Sequence, residues 1–140
     1  MASLMIDVLR NRGAERAFVF YGEDGLDELT TTGPSFIYRL RDGEVTTAEF
    51  TPEDFGVRRA SLEDLRGGTA DENVRILLDI FDGVPGPKRD IAVVNAAPVI
   101  VVAGLADGFV EAVELANEAI DSGDARAVLD RAIAFTKARA

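Results

Sequence analysis

The chain has 140 residues, 47% of them hydrophobic, which fits one domain with a real core and excludes a largely disordered polypeptide. Its net charge of -10, from 25 acidic and 15 basic residues, argues against a nucleic-acid-binding class, which needs a basic face. With no cysteine and no histidine, disulfides, thiol chemistry and the commonest zinc ligand are excluded, and any metal would be a hard cation on oxygen ligands, magnesium being the natural choice.

From the N-terminus, Leu4, Met5, Val8 and Leu9 repeat at helical spacing and Gly13 stands where a C-cap belongs, predicting a helix over about Ser3–Arg12. Asp7 and Arg10 interrupt this apolar stretch, so no signal peptide is expected. Ala17–Tyr21 (AFVFY) is a short apolar run before Gly22 and predicts a strand buried on both faces, as in a parallel sheet. The stretch Gly22–Leu29 (GEDGLDEL) follows at once, and open α/β sheets bind ligands beyond the carboxyl ends of their strands. Ser35–Leu40 and Val45–Phe50 flank Arg41-Asp42-Gly43-Glu44, predicting a hairpin with an Asp-Gly turn. Thr51-Pro52-Glu53-Asp54 has the pattern of a capped helical turn with proline first.

Ser61-Leu62-Glu63-Asp64 starts another short helix, which Gly67-Gly68 ends. Thr69 and Glu72 form the capping-box pattern for a helix with Val74, Leu77, Leu78 and Phe81 on one face, stopped by Gly83. Val84–Lys88 is a Pro/Gly connector. Ile91–Gly104 stays open between two readings. Val99–Val102 favours a strand by propensity, whereas length and alanine content favour a buried helix, kinked at Pro98. The run Ile91–Ala106 contains Asn95 and Pro98 and is shorter than the roughly 20 residues of a membrane span, so a soluble cytoplasmic protein is expected. Phe109, Val113, Ala116 and Ile120 line one further helix, and Ala125, Val128, Leu129, Ala132 and Ile133 line another, with Ser122-Gly123-Asp124 between them. A single parallel strand cannot make a sheet, so the elements predict one part of a larger α/β domain.

The acidic pair Asp27–Glu28 is the candidate chemical feature. Two acids in a loop are usually a solvated turn, and their place just past a strand keeps a divalent-cation site open beside that reading. Glu23 and Asp24 read as turn and surface residues beside a permissive Gly25. Gly67-Gly68 lacks the surroundings of a phosphate loop and reads as a helix stop. Arg58, Arg59 and Arg66 read as solvated or ion-paired, Asn95 as a satisfied core amide, and Phe109 and Phe135 as core.

Gly22-Glu23-Asp24-Gly25-Leu26-Asp27-Glu28-Leu29 closely resembles the strand-end motif of anthranilate phosphoribosyltransferases. The resemblance continues, in order, through Thr32-Gly33-Pro34, Thr51-Pro52-Glu53-Asp54-Phe55-Gly56, Gly67-Gly68, Glu72-Asn73, Arg89-Asp90, Asn95-Ala96-Ala97, the Gly104 region and Ala119-Ile120-Asp121-Ser122-Gly123. Tyr21 stands where relatives often carry histidine, and Pro98 departs from their alanine-rich helix. The implied fold is α/β: residues 1–140 as the C-terminal part of a phosphoribosyltransferase/nucleoside-phosphorylase-like domain, with a parallel strand, a β-hairpin and several packed helices. The family's N-terminal helical domain and its Gly-Thr-Gly-Gly-Asp sugar-phosphate loop are not in this sequence.

The implied reaction is transfer of the phosphoribosyl group from phosphoribosyl pyrophosphate to anthranilate in tryptophan biosynthesis, with release of pyrophosphate. The resemblance gives Asp27 and Glu28 to Mg2+, which disperses leaving-group charge. No catalytic residue is assigned, and the main substrate contacts are expected outside these residues. The isolated chain is expected to be inactive, and to pair as a homodimer or with a complementing N-terminal part. The alternative is a non-enzymatic, self-associating or partner-binding domain. A pyrimidine nucleoside phosphorylase is a third reading, which the Asp27–Glu28 context fits poorly.

Overall fold

A computed structural model describes residues 1–139. The elements in chain order are α1 (Ala2–Asn11), β1 (Arg16–Gly22), β2 (Ser35–Arg41), β3 (Glu44–Phe50), a 3-10 turn (Pro52–Phe55), α2 (Leu62–Leu65), α3 (Ala70–Phe81), α4 (Pro87–Val102), α5 (Phe109–Asp121) and α6 (Asp124–Lys137). The expected α/β class holds, with the hairpin and the packed helices in place.

The direction of pairing differs from the expectation for Ala17–Tyr21. Within this chain β1 runs antiparallel to β2, with Tyr21 opposite Phe36 and Ala17 opposite Leu40, and the sheet order is β1-β2-β3. The reason is the long loop after β1. Glu23 N–H donates to the Pro34 carbonyl at 2.9 Å, turning the chain back so that β2 completes the ladder. β1 is therefore an edge strand among the described residues. Its residues Phe18, Val19 and Phe20 are half-buried rather than covered on both faces. The β2–β3 turn carries positive φ at both Asp42 (51°) and Gly43 (82°), the backbone that a two-residue hairpin of the right twist demands.

Alternation divides the sheet into two faces. Phe18 and Phe20 of β1 and Ile37 of β2 meet α4 and α5 in a core that includes Leu29, Phe55, Val93, Val94, Ala97, Val113 and Ala116. Phe109 joins Phe18, Phe50 and Phe55 there, with ring centroids 5.1–5.4 Å apart. The other face carries Val19, Tyr38 and the buried Leu40, and α1 lies over it with Ile6 buried. Helical layers thus flank the sheet on both sides.

The ambiguous Ile91–Gly104 segment is helix. Val94, Ala97 and Val101 repeat at three- and four-residue spacing and all are buried, which a strand's two-residue period would not achieve. The helix continues through Pro98, whose ring is itself buried. Capping reads as the sequence predicts: Thr69 with Glu72 opens α3, Ser61 with Asp64 opens α2, and Thr51 with Asp54 opens the 3-10 turn.

Two helices depart from expectation in their packing. Neither α3 nor α6 has a buried residue; Leu77 stays 42% exposed and Val128 55% exposed. Phe135, expected in the core, is 58% exposed. Hydrophobic periodicity marks a face as apolar but does not supply what covers it. No helix among the described residues is long and apolar enough to cross a membrane.

Candidate functional site

The loop from Gly22 to Ser35 leaves the carboxyl end of β1 and is tied internally before it reaches the acidic pair. Gly22 N–H donates to the Leu26 carbonyl at 2.9 Å. A side chain at Gly22 would collide with Asp24 Oδ1 and crowd Thr30, so the tight fold of the loop requires glycine here. Gly25 has φ of 90°, a conformation that side chains rarely adopt.

Asp24 is more than a surface residue. Its Oδ1 accepts from Leu26 N–H at 3.1 Å, and its Oδ2 accepts from the Thr30 and Thr32 hydroxyls, each at 2.6 Å. Partial burial works to raise its carboxyl. The hydrogen bonds from Thr30, Thr32 and Leu26 outweigh that effect and hold it below the usual carboxylate range. Further on, Thr30 N–H donates to Ser35 Oγ at 2.9 Å and Ala60 N–H donates to the Thr31 carbonyl at 2.8 Å. Leu29, Thr30 and Thr31 are completely buried, and the Thr31 hydroxyl has no protein partner.

Between these ties sit Asp27 and Glu28. Both are exposed, and no hydrogen bond or ion pair occupies either carboxylate among the described residues. No third acidic residue joins them in a cluster of metal-binding type among those residues. Among the described residues, Asp27 is the only carboxylate lining a hollow of about 570 Å³ walled by Met1, Met5, Val19, Tyr21 and Tyr38. The pair is thus adjacent, free of internal partners and open to solvent at a strand end.

The downstream side of the pair is held from a distant helix. Asn95 on α4 accepts Leu29 N–H on Oδ1 at 2.8 Å and donates Nδ2 to the Leu29 carbonyl at 2.8 Å. Nδ2 also donates to the Ile91 carbonyl at 3.0 Å. Asn95 is a satisfied amide, as its sequence context suggests, but its partner is the backbone next to Glu28. The two positions lie 66 residues apart, and no local sequence signal joins them.

The arginines behave as the sequence predicts. Arg59 pairs with Glu53 at 3.5 Å and Arg66 with Glu63 at 3.0 Å. Arg58 acts on Asp90, whose carboxyl is raised by burial and partly restored by Arg58 and Arg89. Gly67 and Gly68 follow α2, and Gly68 N–H is held by Asn73 Oδ1 at 2.8 Å, so this dipeptide joins two helices and its second N–H is taken within the chain.

A family model described as "Glycosyl transferase family, a/b domain" matches residues 1–126. The chain is 48% identical over 132 residues to an anthranilate phosphoribosyltransferase of Rhodopseudomonas palustris strain BisA53, covering 94% of this chain and 39% of that protein. The structure is similar to anthranilate phosphoribosyltransferase from Thermus thermophilus, with a TM-score of 0.86 and 34% identity, over 97% of this chain and 40% of that one. The yeast Saccharomyces cerevisiae enzyme of that name, in complex with PRPP and Mg, shares the fold with a TM-score of 0.76 at 24% identity, over 84% of this chain and 34% of that one. The chain therefore spans about two fifths of the length of the relatives it matches.

Proposed function

The chain belongs to the glycosyl transferase family, a/b domain, and from that premise we propose that residues 1–140 are the C-terminal part of the α/β domain of an anthranilate phosphoribosyltransferase. The reaction would move the phosphoribosyl group from phosphoribosyl pyrophosphate to anthranilate, in tryptophan biosynthesis and in the cytoplasm. The 48% identity to an enzyme of that name supports the activity. The observation that carries the site is the pair of exposed, unpartnered carboxylates of Asp27 and Glu28 on a loop tied at both ends.

These two residues fit a Mg2+ ion. Magnesium dehydrates reluctantly and is commonly held by one or two carboxylates, with waters and phosphate oxygens as its other ligands. A two-carboxylate set without nitrogen or sulfur donors suits that habit. When bound there, Mg2+ would supply dispersal of the negative charge that gathers on pyrophosphate as the glycosidic bond breaks. On this reading Asp27 and Glu28 bind and orient through their carboxylate oxygens and neither acts as a general base. Asp24 keeps the loop in shape and stays out of the coordination, because both its oxygens are engaged by Leu26, Thr30 and Thr32.

None of the 140 residues forms a Gly-Thr-Gly-Gly-Asp loop, so the sugar-phosphate cradle would come from polypeptide other than these residues. The test is to mix the purified chain with anthranilate, phosphoribosyl pyrophosphate and Mg2+. No phosphoribosyl anthranilate should form with the chain alone, and product should appear once a polypeptide carrying that loop is added. Turnover by the chain alone would overturn the division of labour. An alternative, a self-associating or partner-binding domain, draws on the exposed apolar residues of α1, α3 and α6.

A further inference from the structure

We infer that Asn95 is a positioning residue for the acidic pair: its side-chain amide pins the backbone of Leu29 and thereby sets where Asp27 and Glu28 stand. The inference rests on the reading of that pair as the Mg2+ site. Its argument begins with the loop. Upstream of the pair, the ties are local, Gly22 to Leu26 and Asp24 to Leu26. Downstream, Leu29 is completely buried, so water cannot satisfy its backbone. Asn95 satisfies both its N–H and its carbonyl at 2.8 Å, as a neighbouring strand would.

The chemistry demanded here is narrow. A side chain must accept one hydrogen bond and donate another at the same residue, without charge, from a helix. A carboxamide does so from two separate atoms, an acceptor oxygen and a donor nitrogen, spaced to face an N–H and a carbonyl together. An apolar side chain of similar size would leave two buried groups unpaired. An ionised aspartate would accept from Leu29 N–H but turn an acceptor toward the Leu29 carbonyl. Because α4 is packed in the core through Val94, Ala97 and Val101, Asn95 references the loop to a helix anchored by buried side chains. Groups that orient metal ligands from behind act in this way, and their loss typically weakens metal binding about 10–100-fold.

The experiment compares the whole chain with Asn95→Leu, Asn95→Asp and Val94→Ala, the last being a buried neighbour on the same helix whose side chain has no hydrogen-bonding group. Amide exchange at residues 26–30 and Mg2+ titration followed by NMR are the two readouts, each taken where every variant is folded. Asn95→Leu should speed exchange at Leu29 and weaken Mg2+ binding at least about tenfold, whereas Val94→Ala should change neither relative to its global stability. In Asn95→Asp the Leu29 N–H keeps an acceptor while the Leu29 carbonyl loses its donor, so exchange at Leu29 should fall between that of wild type and that of Asn95→Leu. Unchanged exchange at Leu29 in Asn95→Leu, or exchange accelerated equally by Val94→Ala, would overturn the inference. Mg2+ affinity unchanged in Asn95→Leu but lost in Asp27→Asn would also overturn it, with the metal reading intact. Wild-type Mg2+ binding unaltered by Asp27→Asn and Glu28→Gln would sink the metal reading, and with it the claim that Asn95 serves a metal site.

Discussion

At the scale of single residues, the four carboxylates of the Gly22–Ser35 loop divide into Asp24, which is committed, and Glu23, Asp27 and Glu28, which carry no hydrogen bond or ion pair among the described residues. Asp24 has its pKa depressed by three hydrogen bonds that outweigh the burial opposing them. A depressed folded-state pKa means the unfolded chain takes up protons first. Asp24 therefore contributes stability above its unfolded value near 3.8, and that contribution is lost as pH falls through the lower folded value. Asp24→Asn should be less stable than wild type at pH 7, with the difference shrinking below about pH 4 in urea melts. Asp27→Asn and Glu28→Gln should leave the unfolding free energy, read from the same urea melts, within about 0.5 kcal/mol of wild type, since neither side chain has a partner among the described residues. The sequence made the free pair legible through its position beyond β1. It did not disclose that Asp24 organises the loop, because the two threonine partners are chosen by the fold.

At the scale of elements, what was readable depended on how local the controlling interaction is. The Asp42-Gly43 turn, the proline-led turn at Pro52 and the capping box of Thr69 with Glu72 each depend on a few adjacent residues, and each stands as the sequence implies. Thr69→Ala should cost about 1 kcal/mol, measured by thermal or denaturant unfolding, because Glu72 N–H then loses its cap. The direction of β1 was not readable, since pairing is fixed by a partner that begins 13 residues after β1 ends and by the backbone tie from Glu23 to Pro34. Valine content left α4 undecided, and the core decided it. Burial at Val94, Ala97 and Val101 outweighs a propensity difference worth only tenths of a kcal/mol per residue.

For the whole molecule, charge and apolar surface act in opposition. A net charge of -10 keeps copies apart, while exposed apolar residues on α1, α3 and α6 draw surfaces together. Salt screens the first and leaves the second, so the apparent mass of the purified chain by light scattering should rise above its 15.0 kDa as ionic strength increases. A mass of one chain at every salt concentration would count against association. The exposure of Val74, Leu77, Val128 and Phe135 was not visible in the sequence. Their spacing tells only that water is disfavoured on that side of each helix. It fits a chain that spans about two fifths of the length of its relatives, where the sequence's own shortage of strands pointed to part of a larger domain.

The edge of β1 that no strand pairs among the described residues runs directly into Gly22, and the acidic pair lies a few residues beyond it. A polypeptide that zips onto this edge would stiffen the stem from which the cation ligands hang. Docking and ion capture would then be two readings of one coupled equilibrium. Whatever factor the added strand lends to cation affinity, the cation must return to the grip between the strands.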